Sequence, residues 1–600
     1  MQGVILAAGM GKRLKNLTQD KTKCMVEVNG ISLIERMLRI LDKKKLSKII
    51  IVIGYQGEKL KDYISGLDVK TPIVYVENKV FDKTNNIYSL SLTAPYLENE
   101  DTLLLESDLI FEEAVIDVLI EDKRENLALV DHFESWMDGT CMILDDEDCI
   151  VDMVGKKNLH FTNAQRYFKT VNIYKFSSHF SKYTYVPFLR AYALAMGNNE
   201  YYESVIRLIA MLDTKELHAK RLDGQVWYEI DDAQDLDIAE SLFIEDEGER
   251  YQKIISRFGG FWRYPKMKDF CYLVNPFFPT AHMLEEIQAN NNKLVTQYPS
   301  GAKVNRLLAG KLFGISAQAV VVGNGAAELI KILIHKISGK VGFIRPTFEE
   351  YPNCCQIEQQ VVMDTRDTDF QYSAEDICSF FEGTFIKTLV LVNPDNPSGH
   401  YLSKNDILIL INWCRERDIC LILDESFADF ADYDLSFLNS SGLMLYDKLY
   451  IIKSISKSYG VPGIRLGVLA SNDADMMKKV QDELPIWNIN SYAEFFLQIL
   501  EKYKDDYNIS LKKMAESRGK MMVALSKIPF LRIFPSQANY VMCELLNDVK
   551  SDELAIYLLK KNILIKNLTN KIDDGKEYIR IAVRTEAENS QLIDLLKTYE

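Results

Sequence analysis

A chain of 600 residues exceeds what one hydrophobic core can organise, so two to four domains are expected, and 47% hydrophobic residues supply the material to fill them. A net charge of −15 leaves no broad basic surface and excludes nucleic acid as an expected partner. Ten cysteines without a CxxC pair and seven histidines without HxxxH or HxH spacing exclude a disulfide framework and a histidine-built metal site, and point to reduced thiols. The chain opens on a strand-like run without a basic and then apolar leader, and no apolar run reaches the ~20 residues of a membrane span. A cytoplasmic enzyme without a membrane partner is expected.

Residues 3–14, GVILAAGMGKRL, read as an apolar strand, then a small-residue loop holding Ala8, Gly9 and Gly11, then Lys12 and Arg13. Such a loop lays backbone N–H groups along a polyphosphate. Leu14 stands where the third glycine of GxGxxG belongs, which favours a nucleoside triphosphate over a dinucleotide. Lys23, in KTKCMVEVNG, can return to the same phosphates from the start of the next segment.

These residues carry a family resemblance. AAGMGKRL, then Lys23 ahead of Met25-Val26-Glu27-Val28, then ISLIERML, resembles the sugar-phosphate nucleotidyltransferases, and NNIYSL (85–90), LLLESD (103–108) and WYEIDD (227–232) bring it nearest to bacterial phosphocholine cytidylyltransferases, over roughly residues 1–245. The resemblance implies that Arg13 and Lys23 bind the triphosphate of CTP and that Asp108 and Asp231 hold magnesium. Thr22 replaces the family's usual proline before the lysine. The chemistry agrees: both aspartates end apolar runs, so their carboxylates are expected at strand C-termini, in the crevice where open α/β sheets bind ligands, and hard oxygen ligands suit magnesium. Glu229 and Asp232 read equally well as metal ligands or as a solvated acidic turn. Asn86 and Ser89 can face the cytosine edge, although Asn-Asn is also ordinary turn chemistry. In DHFESWMD, Trp136 can pack on a small amine with Asp131 or Asp138 as counter-charge, while a core tryptophan among surface acids accounts for the same residues.

From residue 233 to 257 the chain is acidic and helix-compatible, and FGGFWRYP (258–265) brings two glycines and a proline. The expected domains are therefore 1–245 and 262–600, with 246–261 as the joint. In the second, SISKSYGVPGIRLG (454–467) reads as a pyridoxal phosphate anchor. Lys457 follows an apolar strand among small residues, which suits Schiff-base chemistry, and Ser454 with Arg465 can converge on one phosphate. The motifs before it come in the order of a fold-type I pyridoxal phosphate enzyme: LVNPFFP, QYPSG and GNGAAELI, where Gly325, Ala326 and Ala327 open a helix whose amides can hold the cofactor phosphate. Phe348 is placed to stack on the ring, Asn396 to bond its hydroxyl, and Asp424 to keep its nitrogen protonated.

That ordered set resembles the class I/II aminotransferases, with histidinol-phosphate aminotransferase and threonine-phosphate decarboxylase nearest. The likeness implies that Arg580 grips a substrate carboxylate and that Tyr298 reaches a neighbouring subunit's cofactor, hence a homodimer. Phe427 stands where many aminotransferases carry a tyrosine, which leans toward the decarboxylase-like branch. The fold class expected is α/β: a Rossmann-like nucleotidyltransferase domain followed by a fold-type I pyridoxal phosphate transferase with a small C-terminal α/β subdomain. As a whole the chain resembles bifunctional 2-aminoethylphosphonate cytidylyltransferase/aminotransferases, which implies CTP, 2-aminoethylphosphonate and an amino-acid donor as ligands. Two alternatives stay open: a phosphoethanolamine or phosphocholine cytidylyltransferase fused to a pyridoxal phosphate lyase, and a nucleotide-sensing module that regulates a pyridoxal phosphate enzyme.

Overall fold

The computed structural model describes residues 1–599 other than Ser135, Asp213 and Leu435, without the side chains of Lys12, Lys15 and Asn16, so the Lys12 side chain lies outside the described residues. The chain divides into two compact units, Met1–Arg263 and Tyr264–Glu600. No helix among the described residues is long and apolar enough to cross a membrane, and all ten cysteines are free thiols.

In the first unit, Gln2–Ala7, Ile49–Ile53 and Thr102–Glu106 are apolar runs buried on both faces, as the central strands of a parallel sheet must be. Gln2–Ala7 lies between the other two, with Leu6 opposite Glu106. This register brings the loop after Ala7 and the turn after Glu106 to one edge of the sheet, the C-terminal edge where ligands bind. The strand Phe168–Phe176 runs antiparallel to Thr102–Glu106 and also to Leu127–His132. Its pairing slips between Thr170 and Tyr174, and Asn172 sits there at φ 61, a left-handed conformation uncommon for a non-glycine residue. Bulges of this kind re-aim side chains beside functional sites. A π-helical turn, Ser181–Tyr185, then leads into the helix Val186–Met196. The helix Ala233–Leu242 begins at Asp232, whose carboxylate accepts from the backbone of Gln234 and Asp235, so Asp232 is a helix cap.

The second unit centres on a seven-stranded sheet in the order Val320–Asn324, Leu466–Ala470, Leu449–Ser454, Cys420–Asp424, Ile386–Val392, Lys340–Arg345, Gln360–Asp364. Leu466–Ala470 is antiparallel to both its neighbours. Val392 lies opposite Asp424 and Asp424 opposite Ile452, so NPDNPSG, Asp424 and the Lys457 segment leave the sheet at one edge. A separate four-stranded sheet, Leu531–Ile533, Tyr540–Leu545, Glu577–Ala582 and Lys566–Asn567, forms the expected C-terminal α/β part with the helices Ser551–Lys560 and Glu586–Lys597. Arg580 lies in its strand Glu577–Ala582.

Candidate active sites

At the sheet edge of the first unit opens a cavity of about 440 Å³, lined by Ala8, Gly9, Gly11, Arg13, Lys23 and Asp108 among others. Gly11 takes φ +58, and a Cβ there would stand 3.0 Å from Lys23 Cβ, so glycine lets the loop fold down onto the lysine. Lys23 Nζ donates to Asp108 Oδ2 at 2.6 Å and to Asp231 Oδ1 at 2.7 Å, and Arg13 Nη2 joins Asp231 Oδ1 at 2.7 Å. Burial opposes the Lys23 ammonium, yet the charges of Asp108 and Asp231 hold its pKa above the ordinary lysine value. Burial likewise pushes Asp108 up, and Lys23 pulls it further down, leaving it below the usual carboxylate range.

One ligand atom each from Asp108, Glu229 and Asp231 lies within 4.8 Å of the others, a spacing fit for one cation. Asp108 Oδ1 is buried without a hydrogen-bond partner among the described residues. A buried anionic oxygen left bare is costly, and a divalent cation would satisfy it, so the residues fit magnesium. Glu229 is also held by Lys169, 2.9 Å from its Oε2 and itself 2% exposed. Burial raises the Glu229 pKa in spite of that lysine. Sequence reading missed Lys169; FKTVNIYKF also carries Thr170, Asn172 and Lys175, so nothing local set it apart.

Asn86 and Ser89, expected to read the base, both line this cavity, and they and the residues expected to hold the acceptor also have partners within the chain. Asn86 donates to Glu106 Oε1 at 3.2 Å and Glu203 Oε2 at 3.4 Å, and its Oδ1 accepts from the Tyr202 amide at 3.0 Å. Its amide is thus positioned at the cavity wall by its own chain. Ser89 lines the cavity, with its Oγ accepting from Asn78 Nδ2 at 3.1 Å. Asp131 Oδ2 takes the indole N–H of Trp227 at 2.8 Å, a partner that answers its charge within the fold. Trp136 stacks on Tyr228 with ring centroids 4.6 Å apart, and the Arg263 guanidinium lies 5.4 Å from its ring. Its cation contact is therefore already made by its own chain. Asp138 pairs with Lys156 at 2.6 Å and lies 3.8 Å from Arg13.

In the second unit, two lysines flank the strand end and only one is committed. Lys453 is 2.5 Å from Asp429, which also accepts from Ser458 and Tyr507. Lys457 pairs with no carboxylate among the described residues; burial, with the like charges of Arg580 and Arg465, pushes its pKa down to about 8. Asn275 of LVNPFFP fixes the backbone around it, donating from its amide N–H to Lys457 O at 3.0 Å and from Nδ2 to Ser458 O at 2.8 Å. Asp424 accepts from Tyr351 Oη at 2.8 Å and from the Ser426 amide at 2.9 Å, while burial raises its pKa. Tyr351, which positions Asp424, was not singled out in the sequence.

Gly325 takes φ +79 at the start of the helix Ala326–Lys336, and a Cβ there would meet Arg465 Nη2 at 2.5 Å. Ser454 lies opposite Gly467, and a Cβ on Gly467 would clash with the Ala326 amide nitrogen, so glycines at 325 and 467 bring the guanidinium, the start of the helix and the Ser454 strand end together. Arg465 forms no ion pair among the described residues, which leaves its charge for a bound anion. This arrangement fits the phosphate of pyridoxal phosphate. Phe348 lies edge-on to Tyr351 with centroids 6.4 Å apart. Asn396 Oδ1 accepts from Arg580 Nη1 at 2.5 Å, and Arg580 Nη2 donates to Cys271 O at 3.0 Å, so the asparagine orients the arginine. Phe427 packs on Tyr540 with centroids 5.2 Å apart. Tyr298 is 80% exposed and stacks on Trp487 at 4.5 Å, apart from the cofactor residues of its own chain.

Comparison with known proteins fits these two sites. Residues 269–596 match the family of class I and II aminotransferases, and residues 3–141 match the MobA-like NTP transferase domain. Over 596 residues, 99% of this chain and 94% of the relative, the sequence is 29% identical to CMP-5'-(3-aminopropyl)phosphonate synthase of Streptomyces rubellomurinus. It is 32% identical over 345 residues to L-serine phosphate decarboxylase of Sulfurospirillum multivorans, covering 55% of this chain and 87% of that one. The crystal structure of histidinol-phosphate aminotransferase from Clostridium acetobutylicum is similar with a TM-score of 0.50 at 27% identity, covering 55% of this chain and 98% of that one. An N-terminal NTP transferase domain is thus joined to a C-terminal fold-type I pyridoxal phosphate domain, and the chain belongs to the class I and II aminotransferase family.

Proposed function

We propose that the first unit transfers CMP from CTP to 2-aminoethylphosphonate, releasing pyrophosphate, and that the second makes this acceptor by moving an amino group from an amino acid to phosphonoacetaldehyde. The observation that carries the first half is the carboxylate triad with its bare Asp108 Oδ1 beside Lys23. A phosphonate oxygen attacks the α-phosphorus, the bond to the bridging oxygen breaks, and that oxygen keeps the electron pair as pyrophosphate leaves. The nucleophile is already anionic, so no general base is required. Arg13 and Lys23 counter the charge that the phosphates carry through this step. Asp108, Asp231 and Glu229 would hold magnesium, which supplies further charge neutralisation there.

In the second unit, pyridoxal phosphate when bound supplies an electron sink. Lys457 holds it and moves protons with its amine, Asp424 keeps the ring nitrogen protonated, and Tyr351 fixes Asp424. Arg465, Ser454 and the Gly325–Ala327 segment hold the phosphate, Phe348 covers the ring, and Arg580 takes the donor's carboxylate. Tyr298 completes the site of a second copy in a homodimer. Support for the acceptor class comes from the full-length relative, whose name specifies a CMP conjugate of an aminoalkylphosphonate one carbon longer.

A second reading of the C-terminal unit, decarboxylation of phosphoserine, is favoured by Phe427, which offers no hydroxyl, and by the likeness to L-serine phosphate decarboxylase. Steady-state comparison of 2-aminoethylphosphonate, phosphoethanolamine and phosphocholine with CTP tests the acceptor. The proposal requires the largest kcat/KM for the phosphonate and is wrong if either phosphate ester equals it.

A further inference from the structure

The acids that best fit an amine are not the ones beside Trp136. Glu106 lines the nucleotide cavity two residues before Asp108, and Glu203 stands at the start of the helix Glu203–Ala210. Neither forms an ion pair among the described residues, and Asn86 Nδ2 bridges them at 3.2 and 3.4 Å. Burial raises the Glu203 pKa, and the lysine whose charge opposes that rise, Lys169, is spent on Glu229 at 2.9 Å. Two neighbouring carboxylates withdrawn from water without a cation are expensive, and a fold keeps such a pair when something positive is to come.

A second observation lies in two buried tyrosines. Among the described residues the Tyr185 hydroxyl, 0% exposed, has no hydrogen-bond partner, and the equally buried Tyr202 hydroxyl is directed at the Glu106 carboxylate. Burial first, and then the charges of Tyr174, Glu203 and Glu106, hold the Tyr185 phenol well above its ordinary range, and its ring packs on Phe176, centroids 5.0 Å apart, in the strand that also carries Tyr174. Tyr185 closes the π-helical turn Ser181–Tyr185, and such turns recur at functional sites. The bulge at Asn172 displaces the pairing of the strand that carries Tyr174, whose ring lies 5.9 Å from that of Tyr202.

We propose that Glu106 and Glu203, backed by the hydroxyls of Tyr185 and Tyr202, form the subsite for the acceptor's primary ammonium. This deepens the cytidylyl-transfer reading and rests on it. A primary ammonium has three N–H donors for the acceptor oxygens here, whereas a trimethylammonium group has none. The spacing also fits: two residues of extended chain cover ~6–7 Å, enough to set a short aminoalkyl chain between Glu106 and a phosphonate at Asp108.

The test uses the full-length protein with CTP and magnesium, comparing 2-aminoethylphosphonate with 2-hydroxyethylphosphonate and phosphocholine. Wild type should prefer the amine over the alcohol, and Glu203→Gln should reduce that preference about 10- to 100-fold, the worth of a charged hydrogen bond. The loss should fall on the acceptor KM while the CTP KM is retained, and Tyr185→Phe should shift the preference the same way by less. Should Glu203→Gln fail to fold, the Tyr185→Phe result decides. An unchanged amine preference, a rise confined to the CTP KM, or a wild-type preference for phosphocholine would each overturn the subsite. Absence of CMP transfer to any of the three by wild type would instead overturn the functional reading on which it rests.

Discussion

Lys457 carries the covalent chemistry assigned to the second unit, and its amine has a measurable signature. The Lys457 amine, depressed to about 8 by burial and the Arg580 and Arg465 charges, is the nucleophile only when neutral. Because the shift is downward, the neutral fraction grows as pH rises through about 8 rather than above 10. The rate at which apoprotein takes up pyridoxal phosphate should follow that curve. Arg580→Leu removes a like charge and should move the midpoint upward; a midpoint at the ordinary lysine value in wild type would contradict the assignment. After borohydride reduction, peptide mass analysis should find the cofactor on Lys457, and on no other lysine in Lys457→Ala. In the first unit, Asp108→Ala should lower CMP transfer by ~10³-fold or more, since it removes part of a charge-neutralising site. Aminotransfer by the same protein should persist.

At the scale of elements, the sites depend on a few backbone conformations. Gly325→Ala places a Cβ against Arg465 Nη2, 2.5 Å away, so the guanidinium must leave its position. The dissociation constant for pyridoxal phosphate should rise ~10-fold or more, the loss of a charged hydrogen bond. At Asn172, with φ 61, a valine should cost ~1–2 kcal/mol of stability, because a β-branched residue resists the left-handed region, whereas glycine should be tolerated in thermal unfolding. Equal losses from both substitutions would show that the side chain rather than the backbone matters there.

Legibility in the sequence followed the same division. Motifs that end a strand, such as AAGMGKRL, LLLESD, LILDES and SISKSYG, announce both the element and the side chain at its tip, and the α/β class with its small C-terminal subdomain followed from their order. Asp131 misled because its partner, Trp227, lies 96 residues away. Asn86 was visible, but not its engagement with Glu203, 117 residues on, nor the buried tyrosines around that pair. Nothing local marks a glutamate at a strand end as neighbouring one at a helix start. Tyr351 and Lys169 escaped for the same reason, each gaining its meaning from a partner far along the chain, Asp424 or Glu229.

For the whole molecule, the account is that one chain makes an amine and then activates it. The two chemistries constrain each other: a pyridoxal phosphate transamination installs a primary amine, and an ammonium subsite built of Glu106 and Glu203 selects one. The most direct measurement is a single reaction containing the full-length protein, pyridoxal phosphate, magnesium, CTP, phosphonoacetaldehyde and an amino-acid donor, followed by phosphorus NMR. The account predicts loss of the aldehyde phosphonate signal and growth of the phosphonate–phosphate anhydride of CMP-2-aminoethylphosphonate together with pyrophosphate. Formation of no anhydride from the aldehyde, with CDP-ethanolamine appearing when phosphoserine replaces the aldehyde and the donor, would contradict it.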